Sequence, residues 1–252
     1  MKILAVMGSP REGDSYDLTR RIEDHLSQLG DYEVEYLWLK DAGLDFCRGC
    51  YACLTYGEER CPADGDVAAI EERLLSADGV IFASPVYAMS VTALMKNLMD
   101  RMAYSMHRPR FFDQQTVLVA TAGAAGIDET LSTLKAWEYC GFDIVDSFGF
   151  IVEPRDASEK EERKMDARTK RAAQTLHKAI SRDRPSAPSI MRAIYFRIQQ
   201  RIFQNLKEET PKDYEYFSER GWFDPSRRFY TDAPVGFFKD VIARTVAWMA
   251  TR

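Results

Sequence analysis

The stretch Lys2-Ile3-Leu4-Ala5-Val6-Met7-Gly8-Ser9-Pro10-Arg11-Glu12-Gly13-Asp14-Ser15 decides the fold. Residues 2–7 form a short apolar run, which reads as a buried strand that turns at Gly8. A helix is expected next, because Leu18, Ile22, Leu26 and Leu29 recur at helical spacing and Gly30 closes the run. The same strand–turn–helix unit then repeats. Val34, Tyr36 and Trp38 alternate with Glu33 and Glu35 over 32–38, a strand pattern. A loop at about 41–65 and a helix at 66–76 precede the buried strand Gly79-Val80-Ile81-Phe82-Ala83. Further helices are expected at 90–105, 127–139 and 157–181, with strands at 116–121 and 142–151. Strict alternation of short apolar strands with helices predicts an α/β domain over 1–181. Its core would be a doubly wound, five-stranded parallel sheet covered on both faces.

Beyond it, Arg182-Asp-Arg-Pro-Ser-Ala-Pro-Ser189 has the composition of a linker, and 190–252 reads as a helical C-terminal extension. Met191, Tyr195, Ile198, Ile202 and Leu206 form an apolar stripe on a helix that also carries Arg192, Arg197 and Arg201. Such a helix can lie on a membrane or a partner, but packing on its own domain or across a dimer is the simpler expectation. The aromatic segment 213–223 is expected to dock on the core. A last helix, at about 235–250, puts Phe238, Ile242, Val246 and Met249 on one face.

The 252 residues suffice for a large core, and a net charge of −5 gives no cationic excess for duplex nucleic acid. No run of about 18 apolar residues is present, so no membrane span is expected. The start turns to glycine too soon for a secretory signal, and a cytoplasmic protein is the expectation.

In a doubly wound sheet, ligands sit outside the carboxyl ends of the strands. After the first strand, Ser9, Arg11 and Ser15 bring hydroxyls and a guanidinium to a helix N-terminus, which suits a phosphate monoester. After the third strand, Ser84-Pro85-Val86-Tyr87-Ala88-Met89-Ser90 offers a stiff turn and a flat aromatic face. After the fourth, Thr121-Ala122-Gly123-Ala124-Ala125-Gly126 lets the backbone approach a planar ligand. One phosphate loop and two ring loops describe a flavin mononucleotide (FMN) site.

The segments 7–15 and Ala83-Ser-Pro-Val-Tyr87, followed by Lys96 and Asp100-Arg101, resemble the NAD(P)H-dependent FMN reductase and iron–sulfur flavoprotein family, of flavodoxin-like fold. The resemblance covers about residues 1–180. It implies FMN with its phosphate at Ser9, Arg11 and Ser15. The ring would lie against Pro85, Val86, Tyr87 and Ala88, bordered by Thr121, Ala122 and Gly123. NAD(P)H would be the co-substrate, and a homodimer or homotetramer the expected assembly. Two positions depart from the family pattern. Asp14 replaces the usual Asn and is expected to point away from phosphate, capping the helix. Met89 stands where an aromatic residue or glycine is common.

Four of the five cysteines fall within residues 47–61, as Cys47-x2-Cys50-x2-Cys53-x7-Cys61. Three occupants fit this spacing: a [4Fe–4S] cluster, a zinc ion, or no metal, leaving redox-active thiols. Cys140 is expected to be a buried core thiol. His107 reads as a surface histidine with no partner visible in the sequence. Lys96, Asp100 and Arg101 read as a structural ion pair or an oligomer contact. The resulting expectation is an FMN-dependent NAD(P)H oxidoreductase that passes electrons to a small-molecule or protein acceptor. The alternative is a non-enzymatic electron-transfer iron–sulfur flavoprotein.

Overall fold

In a computed structural model, residues 1–152, 157–182 and 186–252 are described; part of the linker, Asp183 to Pro185, lies outside them. The elements in order are β1 (Lys2–Met7), α1 (Asp14–Ser27), β2 (Glu33–Trp38), α2 (Ala52–Thr55), α3 (Val67–Leu75), β3 (Gly79–Pro85), α4 (Ala93–Arg101) and α5 (Tyr104–His107). They continue with β4 (Gln115–Ala122), α6 (Ile127–Leu134), β5 (Asp143–Ile151), α7 (Glu159–Ile180), α8 (Ile190–Asn205), α9 (Pro211–Glu219) and α10 (Phe237–Ala250). The strands form one sheet in the order β2-β1-β3-β4-β5, and every pairing is parallel. The chain therefore winds one way from β1 to β2 and the other way from β3 to β5. The switch point falls beside β1.

Alternation along β1 sorts its side chains between two cores. Ile3, Ala5 and Met7 pack with Leu18, Ile22 and Leu26 of α1 and with Met165, Ala172 and Leu176 of α7. Leu4 and Val6 face the other way, toward Ile70 and Leu74 of α3, Met95 and Leu98 of α4, and Leu131 and Leu134 of α6. Each face carries its own helical layer, as the short apolar strands require. In β2 only Leu37 is fully buried, while Val34, Tyr36 and Trp38 are half-buried against the α1–α7 core. That half-burial suits an edge strand, which has a neighbour on one side only.

Two expected helices are shorter than their apolar patterns. The run 90–105 resolves into α4 and α5, separated at Met102 and Ala103. The run 127–139 ends at Leu134 and tightens into a 3₁₀ segment, Lys135–Cys140, which closes on left-handed Gly141. Cys140 is buried, as expected, and burial pushes its thiol up to about 12.

The tail forms a helical layer with its own aromatic core. Phe196, Phe203, Phe217, Trp222, Phe229 and Tyr230 pack together and meet Phe112 of the main domain. Helix α9 had no clear periodic signal, yet its segment docks as expected, with Asp213 and Phe217 wholly buried. The apolar stripe expected of α8 is not its most buried face. Ala193, Ile194, Phe196, Arg197, Gln199, Gln200 and Phe203 are buried, whereas Met191 and Leu206 are exposed. The polar members are paired: Arg197 meets Asp240 of α10, and Gln199 donates to the Met106 carbonyl at 2.7 Å. A charge with such partners can be buried, which a hydropathy pattern does not register.

Candidate functional site

The three loops after β1, β3 and β4 meet at the carboxyl edge of the sheet and are tied together by short hydrogen bonds. The Gly8 N–H donates to the Ala83 carbonyl at 2.8 Å, and the Val86 N–H donates to the Thr121 carbonyl at 2.7 Å. The Thr92 hydroxyl donates to the Gly8 carbonyl at 2.7 Å while accepting from the Met95 N–H, so the start of α4 is bolted to the first loop. The hydroxyls of Ser15 and Thr121 lie 2.6 Å apart and are both buried. That contact joins the expected phosphate loop to the expected ring border.

Helix α1 begins after Gly13, and no side chain caps it. Asp14 is the first helical residue and exposed, not the cap that was expected. In a helix N-terminus the first N–H groups have no intrahelical acceptor, so an uncapped start leaves donors facing the loop. Ser9 is buried and folds its hydroxyl onto the Arg11 carbonyl, 2.6 Å away. Arg11 is exposed and makes no ion pair with another described residue. A Cβ placed on Gly13 or on Gly123 would meet no atom within 4 Å, so both loops border open space.

The ring loop closes as a tight turn. Tyr87 and Ser90 exchange backbone hydrogen bonds of 2.9 and 3.1 Å around Ala88 and Met89. Both central residues have positive φ, 48° and 64°, a conformation that side chains rarely adopt and that is held here by its neighbours. Gly126, at φ +93°, is one of those neighbours: a Cβ there would lie 2.6 Å from Val86 and 3.1 Å from Met89 Cα. Pro85 and Val86 are half-buried, Tyr87, Ala88 and Met89 are exposed, and Thr121 and Ala122 are buried next to exposed Gly123. The ten residues expected at a cofactor thus sit on three loops tied to one another at the carboxyl end of the sheet.

The cysteine loop follows β2 and is held by side chains from elsewhere. Asn97 of α4 accepts from the Cys47 N–H at 3.1 Å and donates to the Leu44 and Asp45 carbonyls. Arg101 turns inward and spans the neck of the loop, donating to the carbonyls of Asp45, Ala63, Asp64 and Gly65 at 2.7–3.3 Å. Its neighbours Lys96 and Asp100 form the expected ion pair at the surface. Arg108 reaches the Cys53 carbonyl at 2.6 Å, Glu58 at 2.9 Å and the buried carboxylate of Asp213 on α9. Arg110 joins Glu58 to Glu71. Burial raises the Glu58 carboxyl, but the loop's N–H and both arginines outweigh it and hold the group below its ordinary range.

All four loop cysteines are free thiols, with Cys47 and Cys50 exposed and Cys53 and Cys61 half-buried. Cys53 and Cys61 line a cavity of about 270 Å³ with Glu58, Arg101 and Tyr104. Burial and the neighbouring Cys61 and Cys47 push the Cys53 thiol up, against the pull of Arg108. Among the described residues, no three Cys, His, Asp or Glu side chains converge closely enough to hold a metal ion. His107 has a partner that sequence reading missed, since its Nδ1 lies 2.8 Å from Asp213. Only the folded tail reveals this, because 106 residues separate the two.

A family model described as NADPH-dependent FMN reductase matches residues 1–152. An iron-sulfur flavoprotein of Archaeoglobus fulgidus is 27% identical over 231 residues, covering 88% of this chain and 100% of that protein. An iron-sulfur flavoprotein of Methanocaldococcus jannaschii is 40% identical over 102 residues, covering 40% of this chain and 51% of that protein. Among solved structures, an NADH:FMN oxidoreductase in its apo form superposes with a TM-score of 0.53 at 22% identity, covering 72% of this chain and 91% of that one. An NAD(P)H:quinone oxidoreductase from Methanothermobacter marburgensis gives a TM-score of 0.53 at 19% identity, with coverages of 70% and 96%. At these identities, the structural likeness establishes the flavodoxin-like fold.

Proposed function

Because the chain belongs to the NADPH-dependent FMN reductase family, we propose that it is an FMN-dependent NAD(P)H oxidoreductase, with 1–181 as the cofactor domain and 190–252 as a helical extension. The observation that carries this reading is the buried Ser15–Thr121 hydroxyl contact, which draws the phosphate loop and the ring loops into one mouth. The donor set fits the cofactor: Ser9, Arg11 and Ser15 beside an uncapped helix start suit a phosphate. Pro85, Val86, Tyr87 and Ala88 suit one face of a flat ring. Gly123, next to buried Thr121 and Ala122, borders the open space into which its edge would fit.

FMN, when bound, supplies the hydride acceptor, so the protein's share of the work is position and electrostatics. Arg11 would neutralise phosphate charge and Ser15 would help orient it, while Ser9, bonded to the Arg11 backbone, shapes the loop. The strained turn at Ala88 and Met89 holds Tyr87 at the rim, half-exposed and free to meet a second flat ring such as nicotinamide. Neither ring loop, 84–90 or 121–126, contains an acid, a base or a nucleophilic thiol. Hydride transfer through a cofactor asks for none.

A second reading, an electron carrier with an iron–sulfur cluster on Cys47, Cys50, Cys53 and Cys61, is favoured by the name its relatives share. Among the described residues, the thiols do not converge into a metal cage. Anaerobic stopped-flow mixing of the flavin-loaded protein with NADPH and with NADH tests the primary reading. Bleaching of the flavin band is expected with at least one, and no bleaching with either would end it. Iron and sulfide analysis of anaerobically purified protein tests the second.

A further inference from the structure

Helix α10 is amphipathic with its faces reversed. Ala243 and Ala247 point inward and are fully buried, beside the buried carboxylate of Asp240. The large apolar residues point outward: Phe237 and Phe238 are 65% and 81% exposed, and Val241, Ile242, Trp248 and Met249 are exposed with them. At about 100° per residue these six fall on one arc of about 140°, and between positions 237 and 251 only Thr245 interrupts it. A surface helix ordinarily presents its polar side to water, and single exposed apolar groups are common where a contiguous patch is not.

The patch continues onto α8, which runs alongside in the same direction. Lys239 donates to the Pro188 carbonyl at one end, and Arg201 donates to Thr251 at the other. Ile190 and Met191 are exposed where α8 begins. Ile194, Ile198 and Val246 fill the seam between the two helices.

Charge identifies the occupant. Helix α8 has no carboxylate; its Arg192 is paired with Asp143 and its Arg197 is buried against Asp240, which leaves Arg201 as the cation at its edge. Helix α10 adds Lys239, which among the described residues meets only a carbonyl, and the half-exposed Arg244; its one carboxylate, Asp240, is buried and already matched by the buried Arg197. Arg252 lies over the Trp248 ring, 3.5 Å from its centroid. This cationic border belongs to a chain whose net charge is −5. A second copy docked on the same arc would bring like charges together along both edges. An anionic bilayer satisfies both parts, because lipid headgroups accept the cations and the acyl boundary accepts Phe, Trp and Met.

We propose that α10, with the start of α8, lies flat on an anionic lipid surface and docks the flavoprotein there. Helix α10 has 14 residues, and no described helix is long and apolar enough to cross a membrane, so the contact is peripheral. The inference does not depend on which electron acceptor the protein uses.

The test is co-sedimentation of the full chain with vesicles of phosphatidylcholine alone or mixed with phosphatidylglycerol. Binding is expected with the mixed vesicles, weakening as salt rises and at least about tenfold poorer in the Phe238→Glu/Ile242→Glu variant. Circular dichroism checks that the variant is folded, and Phe238→Ser/Ile242→Ser replaces it if it is not. A blue shift of tryptophan emission on adding mixed vesicles is expected, and it should vanish in Trp248→Phe. The proposal is overturned if the wild-type chain stays in the supernatant with mixed vesicles, or binds neutral vesicles equally well. It is also overturned if sedimentation velocity shows self-association that the Glu variant abolishes while vesicles go unbound, which would give the face to a second copy.

Discussion

The loops proposed to hold the flavin and the cysteine loop leave the same edge of the same sheet, yet they are held in different ways. The loops after β1, β3 and β4 follow strands with a neighbour on both sides. Backbone hydrogen bonds such as Gly8 to Ala83 and Val86 to Thr121 carry the order of the sheet into them. The cysteine loop follows β2, the edge strand, and has no strand beyond it to lean on. Arg101, Asn97, Arg108 and Arg110 reach in from other elements to hold its backbone. One region inherits its position from the fold, whereas the other depends on a few long side chains and, through Asp213, on the tail.

This contrast can be broken at either end. The largest effect is expected from Arg101→Ala, which orphans four carbonyls at the neck of the cysteine loop. It should cost about 3 kcal/mol of stability in urea unfolding and open the loop to limited proteolysis, while FMN affinity stays within about twofold. Loss of FMN binding in this variant would mean that the two regions are not independently held. Ser15→Ala should do the reverse, raising the FMN dissociation constant about tenfold in a fluorescence titration and leaving the proteolytic pattern of the cysteine loop unchanged.

The smallest effect sharpens the contrast among the cysteines themselves. In reduced, metal-free protein, iodoacetamide should modify the four loop thiols and leave buried Cys140 untouched until the chain unfolds. Burial raises the Cys140 thiol from 9.0 to about 12, so its contribution to stability is complete below pH 9 and lost as pH rises through 12. Cys140→Ala should therefore show a shallower alkaline fall in stability than the wild type in denaturant unfolding.

The parts legible in the sequence are those set by local pattern. The strand at 2–7 and the one starting at Gly79 are unbroken apolar runs, and the loops after them carry residue types that suit a ligand edge. The arginines were not legible in the same way. Arg101 sits beside a surface ion pair at helical spacing, and nothing local shows that it turns inward to carbonyls 36 to 56 residues away. Asp213 was hidden for the same reason, since a buried acid in an aromatic tail has no signature until its partners His107 and Arg108 are in place. Helix α10 was read as an amphipathic helix, but which face turns outward is a property of the packing alone.

The central claim is that the cysteine-free loops, and not the four crowded thiols, carry the flavin chemistry. The direct measurement is anaerobic flavin bleaching by NADPH or NADH in a Cys47→Ser/Cys50→Ser/Cys53→Ser/Cys61→Ser variant loaded with FMN. The account predicts that FMN binds and that bleaching proceeds at a rate close to that of the wild type. A variant that holds FMN but no longer bleaches, beside a wild-type chain that does, would contradict it.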